Sequence, residues 1–189
     1  MIKLKQLQRS NQRPNLLETL EANLCDLAHG YRVAGLAYKL SVGAVLKERD
    51  VNDICMAAVY HDIGKCMIPK EILNKRSVLT ESERTRIEKH VDAGGQLCRL
   101  MGMSEPVLTY IYGHHESFDG SGYPKGLKGA EIPFGARILK ICDVYDALST
   151  SRIYRPAFCK QKAVEIMREE RATFDPQLLA VFWEVINED

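Results

Sequence analysis

Histidine occurs at positions 29, 61, 90, 114 and 115 of the 189-residue chain and nowhere else. A lone histidine on an apolar helix face is more often a hydrogen-bonded core residue than a ligand, but several beside carboxylates at element ends read differently. His61 and Asp62 put an imidazole and a carboxylate on consecutive residues where a helical pattern stops. Adjacent helical side chains diverge by about 100°, so the pair suits two neighbouring metal ions better than one. His114 and His115 repeat the arrangement at a second helix end. Asp143 lies among Ile138, Leu139, Ile141 and Val144. An unpaired carboxylate is costly to bury there, and a cation is the simplest compensation.

Imidazole and carboxylate donors without a thiolate cluster select borderline or hard transition ions: iron, manganese, nickel or zinc. Six or seven donors exceed one tetrahedral site, so two divalent ions are expected. Two ions about 3.5–4 Å apart can hold a bridging hydroxide at neutral pH and clamp both oxygens of an in-line phosphoryl displacement. The six cysteines include no CxxC pair, and they read as small hydrophobes in a reducing compartment.

The elements that must carry these residues are helical almost throughout. Leu16 to Leu46 has apolar residues at helical spacing (Leu24, Leu27, Val33, Leu36, Ala37, Leu40), with Gly30 and Gly35 as candidate kinks. Asp50 and Asp53 bracket the start of a helix reaching about Asp62, which Gly64 ends. Thr80 to Glu83 has capping-box spacing and opens a helix running to about Met101; Ser104 caps the next, which carries the chain to His114 and His115. Phe118 to Pro133, rich in glycine and proline, reads as a long structured loop. Three helices follow, near residues 134–149, 160–170 and 176–186. The expectation is one all-α domain over residues 16–189, preceded by an N-terminal segment or linker, residues 1–15.

Composition sets the outer limits. The chain is long enough for one sizeable core. A net charge of +1 gives no support for binding a nucleic acid polymer. No apolar run approaches the roughly 18 residues that span a bilayer, and Met1 to Pro14 lacks the apolar stretch of a secretory signal, so a cytoplasmic protein is expected.

Several stretches resemble the HD-GYP family. His61-Asp62-Ile63-Gly64-Lys65 is similar to its HD signature, and His114-His115-Glu116 followed by Asp119-Gly120-Ser121-Gly122-Tyr123-Pro124 to its GYP segment. The likeness continues through Ala136-Arg137-Ile138, Asp143-Val144-Tyr145-Asp146 and Ser151-Arg152-Ile153-Tyr154-Arg155. It implies a single HD-type helical domain with a long structured GYP loop. The activity implied is bacterial-signalling hydrolysis of cyclic di-GMP to linear pGpG, and in some members to GMP. His29, His61, Asp62, His90, His114, His115 and Asp143 become metal ligands, with Asp62 bridging. Lys65 would contact the scissile phosphate, Tyr123, Arg152 and Arg155 would bind substrate, and Glu116 and Asp119 would order the loop. Some members hold a third metal through a glutamate one turn before the first histidine. Cys25 stands at that place, which points to two metals. The same resemblance carries an alternative, a weakly catalytic cyclic-dinucleotide receptor or a module docking diguanylate cyclases through the GYP loop.

Lys65 follows Asp62 by three residues, while Arg152 and Arg155 follow Asp143 by nine and twelve, toward the rim where a second phosphate or a base would lie. Lys65→Ala should therefore depress kcat, and Arg152→Ala should mainly raise KM, each by about 10- to 150-fold for one charge-assisted contact. Steady-state kinetics with cyclic di-GMP and with a small phosphodiester check this. Equal slowing of both substrates by Arg152→Ala would show that the arginine is no remote binding residue.

Overall fold

The structure, a computed structural model, describes residues 16–151 and 156–187, with side chains described from residue 28 onward. Arg152 and Arg155 lie outside the described residues, as does the Cys25 side chain. Nine α-helices are present among the described residues, and no strand: α1 (Leu16–Gly43), α2 (Glu48–Tyr60), α3 (Lys70–Leu73), α4 (Glu81–Glu88), α5 (His90–Leu100), α6 (Glu105–Gly113), α7 (Phe134–Ser149), α8 (Lys160–Glu169) and α9 (Pro176–Asn187). The all-α expectation holds.

One apolar core joins most of them. Val33, Ala37 and Leu40, at i, i+4 and i+7 on α1, pack with Ile54, Ala57 and Ala58 of α2. Val107, Leu108 and Ile111 of α6 and Ile138, Leu139 and Ile141 of α7 continue the same cluster, which Leu178, Phe182 and Ile186 of α9 close. Cys98 and Cys142 are fully buried in it, as expected of small hydrophobes, whereas Cys66 and Cys159 are exposed.

Four local expectations change in detail. α1 is one continuous helix through Gly30 and Gly35. The capping box forms as read, Thr80 Oγ1 accepting from the Glu83 amide and Glu83 from the Thr80 amide, but the helix it opens stops at Glu88 and α5 restarts at His90. The carbonyl of Ile87 accepts from the Lys89 amide and also from His90 Nδ1, the latter at 2.6 Å. Ser104 stands at the N-cap of α6 without capping it; its hydroxyl donates to Asp53, 51 residues away in sequence but adjacent in space, at 3.0 Å.

Gly64 is the fourth. α2 already ends at Tyr60, and Gly64 lies in a short 3-10 turn, Ile63–Met67, directly after Asp62. A Cβ on Gly64 would fall 2.0 Å from the His90 carbonyl oxygen and 2.5 Å from the Gly94 amide nitrogen. The glycine thus lets the turn carrying Asp62 press against the backbone of α5 beside His90. Gly64→Ala must push these segments apart, and overpacking of this kind costs about 1–3 kcal/mol. Thermal unfolding should show a Tm lower by roughly 2–12 °C, at about 2–4 °C per kcal/mol for a chain of this size. An unchanged Tm would mean that the approach is not required.

Candidate metal centre

Three of the histidines sit where helices end and use those ends in the same way. The last carbonyls of an α-helix lack intrahelical donors. His61 Nδ1 meets the Ala58 carbonyl at 2.7 Å, His90 Nδ1 that of Ile87 at 2.6 Å, and His114 Nδ1 that of Ile111 at 2.6 Å, each three residues back. A carbonyl only accepts, so Nδ1 carries the hydrogen and Nε2 keeps its lone pair. All three rings are buried, and their Nε2 atoms turn to one place.

That place is the Asp62 carboxylate. Its Oδ2 lies 3.3 Å from His61 Nε2 and 3.8 Å from His29 Nε2. Its Oδ1 lies 3.3 Å from His90 Nε2 and 3.9 Å from His114 Nε2. Asp143 Oδ1 completes the first side, 3.0 Å from His29 Nε2 and 3.8 Å from His61 Nε2. His115 completes the second, its ring 5.1 Å from that of His90. Two donor groups result: His29, His61 and Asp143 on one side, and Asp62, His90, His114 and His115 on the other, each with its ligand atoms within 4.8 Å of one another.

The donor set fits cations by its own chemistry. His61 Nε2 and Asp62 Oδ1 are buried and make no hydrogen bond, an expensive state for polar atoms. His90 Nε2 and His114 Nε2 face each other at 3.4 Å, although both Nδ1 hydrogens are committed elsewhere, so two lone pairs meet. Burial and the neighbouring imidazoles hold His114 well below the usual histidine value; burial does the same to His115, helped by His90, Lys140 and Lys65. Both are neutral donors. Burial works against a charge on His29, but hydrogen bonds to Asp143 and Asp146 and the pull of Asp143 and Asp62 raise it to about 9. Asp62 is held well below the carboxylate range: its burial acts in the opposite sense and is outweighed by Lys65, His61 and His90. Positive charge is favoured between these groups, and a divalent ion delivers more of it than a proton.

Of the remaining residues singled out by the sequence, Lys65 Nζ donates to Asp62 Oδ2, which sets its ammonium at the centre. Tyr123 stacks on His115, with centroids 4.7 Å apart and planes 25° from parallel. The loop that brings it there is tied down from within. Glu116, buried, accepts from the amides of Lys125 and Leu127 at 2.8 and 2.9 Å. Asp119 accepts from the Ser121 amide and hydroxyl at 2.9 and 2.6 Å. Gly122 lies so close to Ser117 N and His115 O that a Cβ would approach them to 2.3 and 2.5 Å. A cavity of about 540 Å³ opens beside His115, between α4, this loop and α7.

Sequence reasoning gave no role to Asp146. Its Oδ2 accepts from His29 Nδ1 at 2.6 Å, and Arg32 binds both its oxygens, at 2.8 and 3.0 Å. The signal was available, since Asp146 follows Asp143 by one helical turn in the same apolar stretch. Carboxylates behind a ligating imidazole fix its tautomer and raise its basicity. Asp146→Ala should therefore weaken divalent-metal binding by about 10- to 100-fold with the fold kept. Titration calorimetry with Mn²⁺ checks this, and unchanged affinity would remove Asp146 from the centre.

The HD domain family model matches residues 2–178. A cyclic di-GMP phosphodiesterase of Pseudomonas aeruginosa is 35% identical over 157 residues, covering 82% of this chain and 37% of the relative. A 3′3′-cGAMP-specific phosphodiesterase of Vibrio cholerae is 36% identical over 177 residues, covering 90% and 33%. This chain thus spans about a third of the length of these curated relatives. Among solved structures, an HDG"Y"P protein of Bdellovibrio bacteriovorus superposes with a TM-score of 0.70 at 19% identity, covering 86% of this chain and 52% of that one, a likeness of fold. With the family match over nearly the whole chain and the HD and GYP segments folded around one histidine and aspartate cluster, this chain belongs to the HD domain family, in its HD-GYP branch.

Proposed function

We propose that this chain is a metal-dependent phosphodiesterase that hydrolyses a cyclic dinucleotide, cyclic di-GMP above all, to the linear dinucleotide pGpG. The observation that carries the reading is the Asp62 carboxylate, with one oxygen toward each of two donor groups beside a cavity large enough for a nucleotide. The similar phosphodiesterases of P. aeruginosa and V. cholerae support it.

His29, His61 and Asp143 would hold one metal ion, His90, His114 and His115 a second, and Asp62 would join the two. Iron or manganese suits these donors best, with nickel and zinc next. Two such ions supply Lewis acidity toward phosphoryl oxygens and lower the pKa of water. The chain does the rest. The helix-end carbonyls keep His61, His90 and His114, and Asp146 keeps His29, in the ligating tautomer and orientation. Lys65, already against Asp62, is placed to neutralise charge growing on the phosphoryl oxygens during in-line displacement. Tyr123 forms a wall of the cavity next to His115, while Arg152 and Arg155 would hold the substrate farther out. We assign this work to residues 16–189 and to the cytoplasm; no helix among the described residues is long and apolar enough to cross a membrane. A second reading, a receptor or a dock for diguanylate cyclases, draws on the exposed loop tip at Pro124, Lys125 and Gly126 and differs in giving binding without turnover.

Protein purified anaerobically and loaded with Fe²⁺ or Mn²⁺ should cleave cyclic di-GMP, read by chromatography of the products, with 3′3′-cGAMP and cyclic di-AMP as comparison substrates. Asp62→Asn removes the charge shared by the two donor groups and should cost at least about 100-fold in kcat. Near-normal turnover by metal-loaded Asp62→Asn protein would rule out the bridging role, and binding without cleavage by the wild type would favour the receptor.

A further inference from the structure

The cavity beside His115 carries charges that the metal centre does not use. Lys140 projects into it from α7, one turn before Asp143 and therefore on the same helix face, about 4.5 Å along the axis. Arg84 and Glu88, one turn apart on α4, also line it, with Ser117, Ser121 and Tyr123 among the other lining residues. Among the described residues, the Lys140 ammonium makes no hydrogen bond and no ion pair, although the side chain is only part-exposed. Burial lowers its pKa, and the more distant carboxylates of Asp143, Glu170, Asp119 and Glu116 pull the other way. A lysine that only solvates a surface would not be sequestered in this way without a partner.

The lining selects a class of ligand. Two cations attract phosphate oxygens, but Glu88 would repel a bare polyanion. A nucleotide satisfies both, offering phosphate oxygens to the cations and base N–H donors to the carboxylate. A cyclic dinucleotide whose reacting phosphodiester lies at Asp62 and Lys65 carries its second phosphodiester on the same covalent ring, close to the first. The geometry points to Lys140, with Arg84 at the cavity edge, as the anchor of that second, non-reacting phosphodiester, and we propose it as a determinant of substrate affinity. This inference rests on the phosphodiesterase reading above.

The test is steady-state kinetics of the metal-loaded protein with cyclic di-GMP at low and moderate salt, comparing wild type with Lys140→Met, Lys140→Arg and Arg84→Ala. Lys140→Met, which keeps the apolar stem, should raise KM by about 10-fold or more, the loss of one charge-assisted contact, with kcat within about twofold. Its KM should also depend less on salt than that of the wild type. Lys140→Arg should restore most of the affinity. Arg84→Ala, on an exposed residue that cannot unsettle the core, should raise KM several-fold in the same sense. A fall in kcat at unchanged KM, or wild-type KM in both Lys140→Met and Arg84→Ala while the wild type turns over, would overturn this inference alone. A wild type that cleaves no cyclic dinucleotide would overturn the phosphodiesterase reading and this inference with it.

Discussion

Five imidazoles converging on one buried carboxylate is an arrangement with a single difficulty: each ring must offer a lone pair, and none may turn away to find a better partner. The protein meets it with groups it already has. Helix ends leave carbonyls without donors, and α2, α6 and the break between α4 and α5 each spend one such carbonyl on the Nδ1 hydrogen of a histidine three residues ahead. One contact satisfies the helix terminus, selects the tautomer and aims Nε2. His29 lies in the middle of α1, where no free carbonyl exists, and there Asp146, gripped by Arg32, takes the carbonyl's place.

From this constraint the rest of the architecture follows. The helix ends have to meet, so α2 stops at Tyr60 and the Ile63–Met67 turn packs against α5 with only a glycine's thickness between them. The break at Lys89 looks like a flaw in the helix that the capping box opens, yet it sets His90 where its Nδ1 reaches the Ile87 carbonyl. Asp62, two residues beyond the end of α2, can then turn one oxygen to each donor group. The apolar core, whose Ala58 and Ile111 lend their carbonyls to His61 and His114, fixes α1, α2, α5, α6 and α7 rigidly enough that donors from five elements stay within a few ångströms of each other.

The site is therefore a rigid, charge-dense wall on which the GYP segment builds a cavity. Glu116 and Asp119 spend their carboxylates on loop amides, and so hold Tyr123 flat against His115. On the proposed reading, binding and chemistry divide along this line: reacting atoms belong at Asp62 and Lys65, and recognition belongs to the loop, α4 and the N-terminal half of α7.

Much of this was legible in the sequence because it depends on local pattern. Helical periodicity, the Thr80 capping box and the glycine-rich stretch from Phe118 follow from backbone preferences that act over a few residues, and the pairs His61-Asp62 and His114-His115 announce ligands by type and adjacency. What could not be read there depends on distance through space. No local rule says that His90 Nδ1 will take the Ile87 carbonyl and divide a helix, that Ser104 will leave its own helix terminus for Asp53, or that Gly64 is there for closeness and not as a helix cap. Asp146 and Lys140 look like ordinary charges one turn either side of Asp143 until α1 and α4 are packed opposite them. The sequence by itself determined the donors and the elements that bear them; the tertiary structure alone decided which lone pair faces which oxygen, because that is settled by the packing of helix ends brought together from distant parts of the chain.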